Sequence, residues 1–106
     1  MVREFRGRSM NSEQEIREVV KEVENLLISK GQDYSGNEDL LKGFYDLDNI
    51  VSPEVIAFTD INRKYKRIRK WLTDKRLNHE KVIDSSIDLA AYAIILTVIL
   101  KRQELK

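Results

Sequence analysis

An all-α domain is what this sequence predicts, on three observations. Apolar residues recur at helical spacing in successive long segments. The chain is 42% apolar and 35% charged, enough of each for a real core inside a solvated surface. A single proline stands among 106 residues, and it sits where a helix begins rather than inside one. The predicted architecture is a four-helix, bundle-like domain completed by dimerisation.

From Ser12 to Ser29, Ile16, Val19, Val20, Val23, Leu26 and Leu27 fall on one helical face. Asn11 or Ser12 caps that helix, Glu13 and Glu15 occupy the first turn where the helix dipole favours acids, and Gly31 is expected to stop it. The segment KGQDYSGN at 30–37 is rich in turn formers and reads as a shaped loop. A short second helix is expected to carry Leu40, Leu41, Phe44 and Leu47 on one side. Ser52-Pro53-Glu54 reads as a cap, a proline at the first helical position and a first-turn acid. The helix it opens is expected to run to about residue 73.

On that third helix, steps of 100° per residue put Phe58, Ile61, Tyr65, Ile68 and Leu72 on a buried stripe. Asp60, Lys64, Arg67 and Trp71 form a strip along its edge, where the helix meets its neighbours. The last helix, from about residue 80 to 102, is apolar on nearly every side beyond Ile87, which implies a helix sandwiched in a bundle or shared with a second subunit. Its longest apolar stretch, Leu89 to Leu100, is twelve residues, short of the roughly 20 needed to span a bilayer, so a core helix with no membrane contact is expected. The N-terminal MVREFRGR has no apolar region behind it and is no secretory signal. Residues 1–11 read as a basic arm, residues 12–106 as one domain, and the cytoplasm as its location.

The net charge of +1 conceals opposed halves. Residues 11–60 carry twelve acids against four bases, a net of −8, whereas residues 61–76 carry eight bases against Asp74, a net of +7. An acidic segment facing a basic one is a way to hold a metal and a polyphosphate together, and equally a way for neighbouring helices to attract each other. The basic run also suggests nucleic acid, but a binder of extended duplex carries a basic excess overall, so extended nucleic acid is not the expected partner. The absence of cysteine excludes disulfides, thiolate zinc and cysteine nucleophiles. With His79 as the only histidine, zinc is poorly served, and a hard cation such as Mg²⁺ is the metal to expect.

Asp84 and Asp88 stand at i and i+4 on a face that continues into Ala91 and Ile95, so both are expected to point into an apolar interior or a pocket within it. Buried carboxylates one turn apart need a cation. Two partners suit them: the Lys64/Arg67 strip, as structural salt bridges, or Mg²⁺ bridging to a phosphate. Lys30, Asp33 and Tyr34 flank the glycines of the loop, and Tyr34 either stacks on a base or plugs the bundle. Trp71 and Tyr92 have the same two readings, with core packing favoured for Tyr92; His79 reads as an exposed residue between helices.

Three motifs together resemble a known group. They are K-G-x-D-Y-x-G with a following phenylalanine (Lys30, Gly31, Asp33, Tyr34, Gly36, Phe44), Ser52-Pro53-Glu54 opening a helix with Lys64-x-x-Arg67, and D-S-x-x-D-L-A-x-Y-A from Asp84 to Ala93. In these the chain resembles the phage-associated MazG-like proteins of the all-α nucleoside triphosphate pyrophosphohydrolase superfamily, over about residues 12–100. The resemblance implies a dimeric or larger helical bundle that binds a nucleoside triphosphate and, with Mg²⁺, cleaves the α–β phosphate link. Asp84 and Asp88 match the acidic motif of the last helix and become metal ligands and catalytic residues. Lys30, Asp33, Tyr34, Lys64 and Arg67 become substrate-binding residues. One departure counts: Lys64 and Arg67 fall where the typical enzymes carry the two glutamates of an E-x-x-E metal motif, leaving Glu22, Asp33 or Asp60 to make up the set. Two functions follow, a Mg²⁺-dependent nucleotide pyrophosphohydrolase and, alternatively, a non-catalytic nucleotide-binding or sequestering helical protein or interaction module.

Overall fold

A computed structural model describes residues 11–35, 39–74 and 79–105, apart from the side chains of 34, 35, 79 and 80. The basic arm, save Asn11, lies outside the described residues. Within them the chain is all-α, with three α-helices, one short 3-10 helix and no strand: α1 Ser12–Ser35, the 3-10 helix Lys42–Tyr45, α2 Pro53–Asp74 and α3 His79–Glu104. The expected four-helix count is therefore three. The segment expected to be a second α-helix makes a 3-10 helix over Lys42–Tyr45 and then further hydrogen-bonded turns, with Ile50 and Val51 amides donating to the Leu47 carbonyl, before the chain reaches Pro53.

α1 begins as its sequence requires. The Asn11 side-chain oxygen accepts the Gln14 amide at 3.0 Å, and the Asn11 carbonyl accepts the Glu15 amide. It does not end at Gly31. The helix continues through the expected loop to Ser35, because Gly31 serves a different need. A Cβ on Gly31 would lie 3.0 Å from the Cβ of Leu40, so the missing side chain lets the returning chain pass close to the helix. The helical penalty of glycine, about 1 kcal/mol, is offset by that approach. Lys30, Asp33 and Tyr34 consequently stand on the last turns of α1 rather than in a loop.

α3 is the axis of the fold. α2 packs along it extensively and α1 more sparingly, while the α1 and α2 backbones do not come close to each other among the described residues. The tightest core lies between α2 and the C-terminal half of α3, where Ala57 and Ile99 are fully buried and Ile95 nearly so. Leu41, Phe44 and Tyr45 fold over this cluster, and Phe44 meets Tyr92 edge to face at 6.5 Å. Tyr92 is thus a packing residue. An Arg102–Asp39 pair, with contacts at 2.8 and 3.0 Å, ties the end of α3 to the start of the turn segment, and the Arg102 guanidinium lies over the Tyr45 ring. The Arg102 and Leu41 N–H groups donating to Asp39 hold its carboxyl below the usual aspartate range.

The rotation of α2 differs from the stripe read in the sequence. Phe58, Tyr65 and Leu72 are more than half exposed, and only Ile61 and Ile68 of that stripe are half-buried. The face toward α3 instead carries Ala57 and Lys64, with Trp71 half-buried. Two causes are visible: small Ala57 allows close helix approach, and Lys64 and Arg67 find polar partners on α3. The strip read as an edge is the contact face.

Candidate functional site

Between α1 and α3 lies a cleft of about 310 Å³ lined by Glu22, Leu26, Lys30, Asp84, Ile87 and Asp88. Its making is local and helical. Glu22, Leu26 and Lys30 succeed one another at four-residue intervals along one side of α1, and Asp84 and Asp88 are one turn apart on α3. The cleft exists because α1 covers this end of α3 thinly. Val23 and Val82 are buried nearby in the sequence, whereas the carboxylates stay within reach of water.

The two aspartates differ. Asp88 is half-buried, and its Oδ2 receives the Lys64 ammonium of α2 at 3.0 Å, the two side chains being 30% and 16% exposed. Asp84 is exposed. The expectation that both enter an apolar interior therefore fails for Asp84, since the helix that would have enclosed it lies too lightly on α3. Arg67 turns to Ser85, its Nε donating to the Ser85 hydroxyl at 3.2 Å. Ser85 is 3% exposed, and this bond satisfies an otherwise buried hydroxyl.

Of the residues singled out in the sequence, Lys30, Asp84 and Asp88 line the same cleft, and Lys64, which does not line it, is bonded to Asp88. Arg67 reaches α3 at Ser85, beside the aspartates. Asp33 is exposed and does not line the cleft, and the side chain of Tyr34, like that of His79, lies outside the described residues. Asp60 is committed to Arg63 at 2.8 Å. Of the three acids expected to make up the set, only Glu22 comes into the cleft. Ser85 was missed; the signal for it is its place beside Asp84 on the α3 face that meets α2.

A second recess, about 420 Å³, is lined by Asp39, Tyr45, Asp48, Ser52, Glu54 and Arg102 among others. Arg102 there is already bidentately neutralised by Asp39, and Gln103 donates to Glu54 at 2.8 Å. Its polar groups hold segments together.

Magnesium can be tested against the donors present. Among the described residues no three carboxylates or imidazoles converge as a metal cage. The cleft does offer hard carboxylate oxygens from Asp84, Asp88 and Glu22, and Mg²⁺ is commonly held by one or two carboxylates together with substrate phosphates. The donor set fits a cation that arrives with a phosphate chain and does not fit a resident ion. No family model matches the chain, and no curated protein or solved structure matches it.

By length and composition α3 is apolar enough over Lys81–Glu104 to cross a membrane. Asp84 and Asp88 both lie in the N-terminal third of that segment, toward its end rather than its centre.

Proposed function

We propose that the α1–α3 cleft binds the phosphate chain of a nucleoside triphosphate with Mg²⁺, and that the chain is a MazG-like nucleotide pyrophosphohydrolase. The observation that carries this reading is the convergence of Lys30, Asp84 and Asp88 in one cleft, with Lys64 paired to Asp88. These residues come from three helices. They bring both signs of charge to one place, as a metal-bound polyphosphate requires.

Asp84 and Asp88 would hold the metal, Lys30, Lys64 and Arg67 would steady the phosphates, and Asp33 and Tyr34, at the end of α1, would meet the nucleoside. Bound Mg²⁺ would neutralise phosphate oxygens and polarise the attacking water. In this reading Lys64 changes partner. It holds Asp88 in the structure, and with Asp88 on a cation its ammonium would be free to pair with a phosphate oxygen, so neither charge would be left unpaired. The water oxygen would bond to the α-phosphorus and give its proton to solvent, the bridging oxygen would leave with the pyrophosphate, and a monophosphate would remain. The protein works in the cytoplasm as a homodimer or larger homo-oligomer, with α3 as a core helix and no membrane or extended nucleic acid as partner.

The Lys64–Asp88 pair favours a second reading, a non-catalytic nucleotide binder in which that pair stays closed. Incubation with a panel of nucleoside triphosphates, with and without Mg²⁺, separates the two. Pyrophosphate release that needs Mg²⁺ and is lost in a folded Asp88→Ala variant supports hydrolysis. Calorimetric binding without turnover supports the second reading, and neither binding nor turnover removes both.

A further inference from the structure

We infer, on the reading of the α1–α3 cleft as a metal–phosphate site, that Lys64 is a tethered counter-ion. It keeps free Mg²⁺ out of the cleft and admits the metal only on a phosphate chain.

The three acids of the cleft are not equal. Glu22 and Asp84 are exposed, so their carboxylates are well hydrated and attract a bare divalent ion only through a high dielectric. Asp88 is half-buried, where a carboxylate draws a cation more strongly, and it already has one. The Lys64 ammonium lies 3.0 Å from its Oδ2, and the Lys64 side chain is only 16% exposed. Arg67, nearly one turn further along α2, is engaged elsewhere, its Nε donating to the buried Ser85 hydroxyl at 3.2 Å. Lys64 is thus the counter-ion of Asp88.

A bare metal ion has to displace that ammonium from Asp88. Lys64 stands where α2 meets α3, so its displaced head would remain near the metal as a second positive charge, unpaired and short of water. Mg²⁺ also gives up its own water reluctantly, which leaves little to offset the displacement. A phosphate chain changes both sides of the exchange. Its oxygens replace Asp88 as partner of the ammonium, and Asp88 is released to the metal. Neither exchange is favourable singly, and together they leave no charge unpaired. Metal and phosphate binding are then positively coupled, and one side chain of α2 sets the coupling.

Two probes test this on the full chain. One is Mn²⁺ alone, a stand-in for Mg²⁺ whose unbound fraction is counted by electron paramagnetic resonance. The other is the preformed Mn²⁺ complex of methylenediphosphonate, whose P–C–P link cannot be hydrolysed, followed by calorimetry. The wild-type chain should bind the complex at least about tenfold more tightly than the free ion. In Lys64→Gln the two affinities should move in opposite directions, free Mn²⁺ becoming at least about tenfold tighter and the complex at least about threefold weaker. A residue that only held the helices together would weaken both. Lys64→Arg keeps the charge and should refuse free Mn²⁺ as the wild type does. Circular dichroism checks the folding of each variant, and the wild-type comparison with Lys64→Arg decides the matter if Lys64→Gln does not fold. A wild-type chain that takes free Mn²⁺ as tightly as the complex overturns the inference. So does a folded Lys64→Gln chain whose affinity for free Mn²⁺ does not rise, or a folded Lys64→Arg chain that binds free Mn²⁺ more tightly than the wild type. These three results leave the metal–phosphate reading of the cleft standing, whereas a wild-type chain that binds neither probe removes that reading and the role of Lys64 with it.

Discussion

Lys64 of α2 reaches across the helix interface to Asp88 of α3, its Nζ 3.0 Å from Oδ2, with Lys64 mostly buried and Asp88 half-buried. Removal of one partner leaves the other charge partly desolvated, which is worse than removing both. Lys64→Met should lower stability by about 1 to 2 kcal/mol, and the double variant Lys64→Met/Asp88→Asn should recover about half of that. Urea midpoints of the two single variants and the double variant measure it. Strict additivity would show that the pair is not coupled.

The Arg102–Asp39 tie should make stability sensitive to acid. Asp39 has a depressed pKa in the folded chain, so its contribution is fully present above the ordinary aspartate value, near pH 4, and is lost as pH falls through the lower folded value. Both side chains remain more than a third exposed, so the effect is about 1 kcal/mol or less. In Asp39→Asn the difference from wild type should vanish at low pH and be largest at neutrality, as thermal melts across pH 2 to 7 would record.

Much of this fold was legible in the sequence, and the misses have physical causes. The Asn11 cap, Pro53 at the head of α2 and the apolar periodicity of α1 and α3 are local signals, and they placed the helices. Gly31 misled because glycine is read as a stop, whereas here it admits Leu40 against a continuing helix. The orientation of α2 was missed because periodicity finds an apolar seam without saying whether the same chain or another covers it. Phe58, Tyr65 and Leu72 are that seam. In the candidate site, Asp84 and Asp88 were found through their i, i+4 spacing, but that spacing could not reveal how thinly α1 covers Asp84. The Asp39–Arg102 pair, 63 residues apart, leaves no local trace.

Gly31→Ala should destabilise the chain although Gly31 is helical. The added methyl meets Leu40 Cβ at 3.0 Å, and the shift needed to relieve that contact, about 1 to 3 kcal/mol, outweighs a propensity gain of about 1 kcal/mol. A melting temperature above wild type would show that the two segments separate without cost.

Ile99, fully buried against Ala57 and the turn segment, is the apolar side chain whose truncation should matter most. Ile99→Ala should cost about 2 to 5 kcal/mol, enough to threaten folding of a chain with so small an internal core. Exposed Leu105→Ala should change stability by less than about 0.5 kcal/mol. Denaturant titration of both variants compares them directly.

The most direct measurement is pyrophosphate release from nucleoside triphosphates by the wild-type chain and by Asp84→Asn, Asp88→Asn and Lys30→Ala, with folding of each variant confirmed. Release that depends on Mg²⁺ and falls at least about a hundredfold in both aspartate variants, with weaker nucleotide binding in Lys30→Ala, is the result expected of a metal–phosphate site in the α1–α3 cleft. Turnover that survives both aspartate substitutions, or a folded wild-type chain that neither binds nor cleaves any nucleotide, would contradict it.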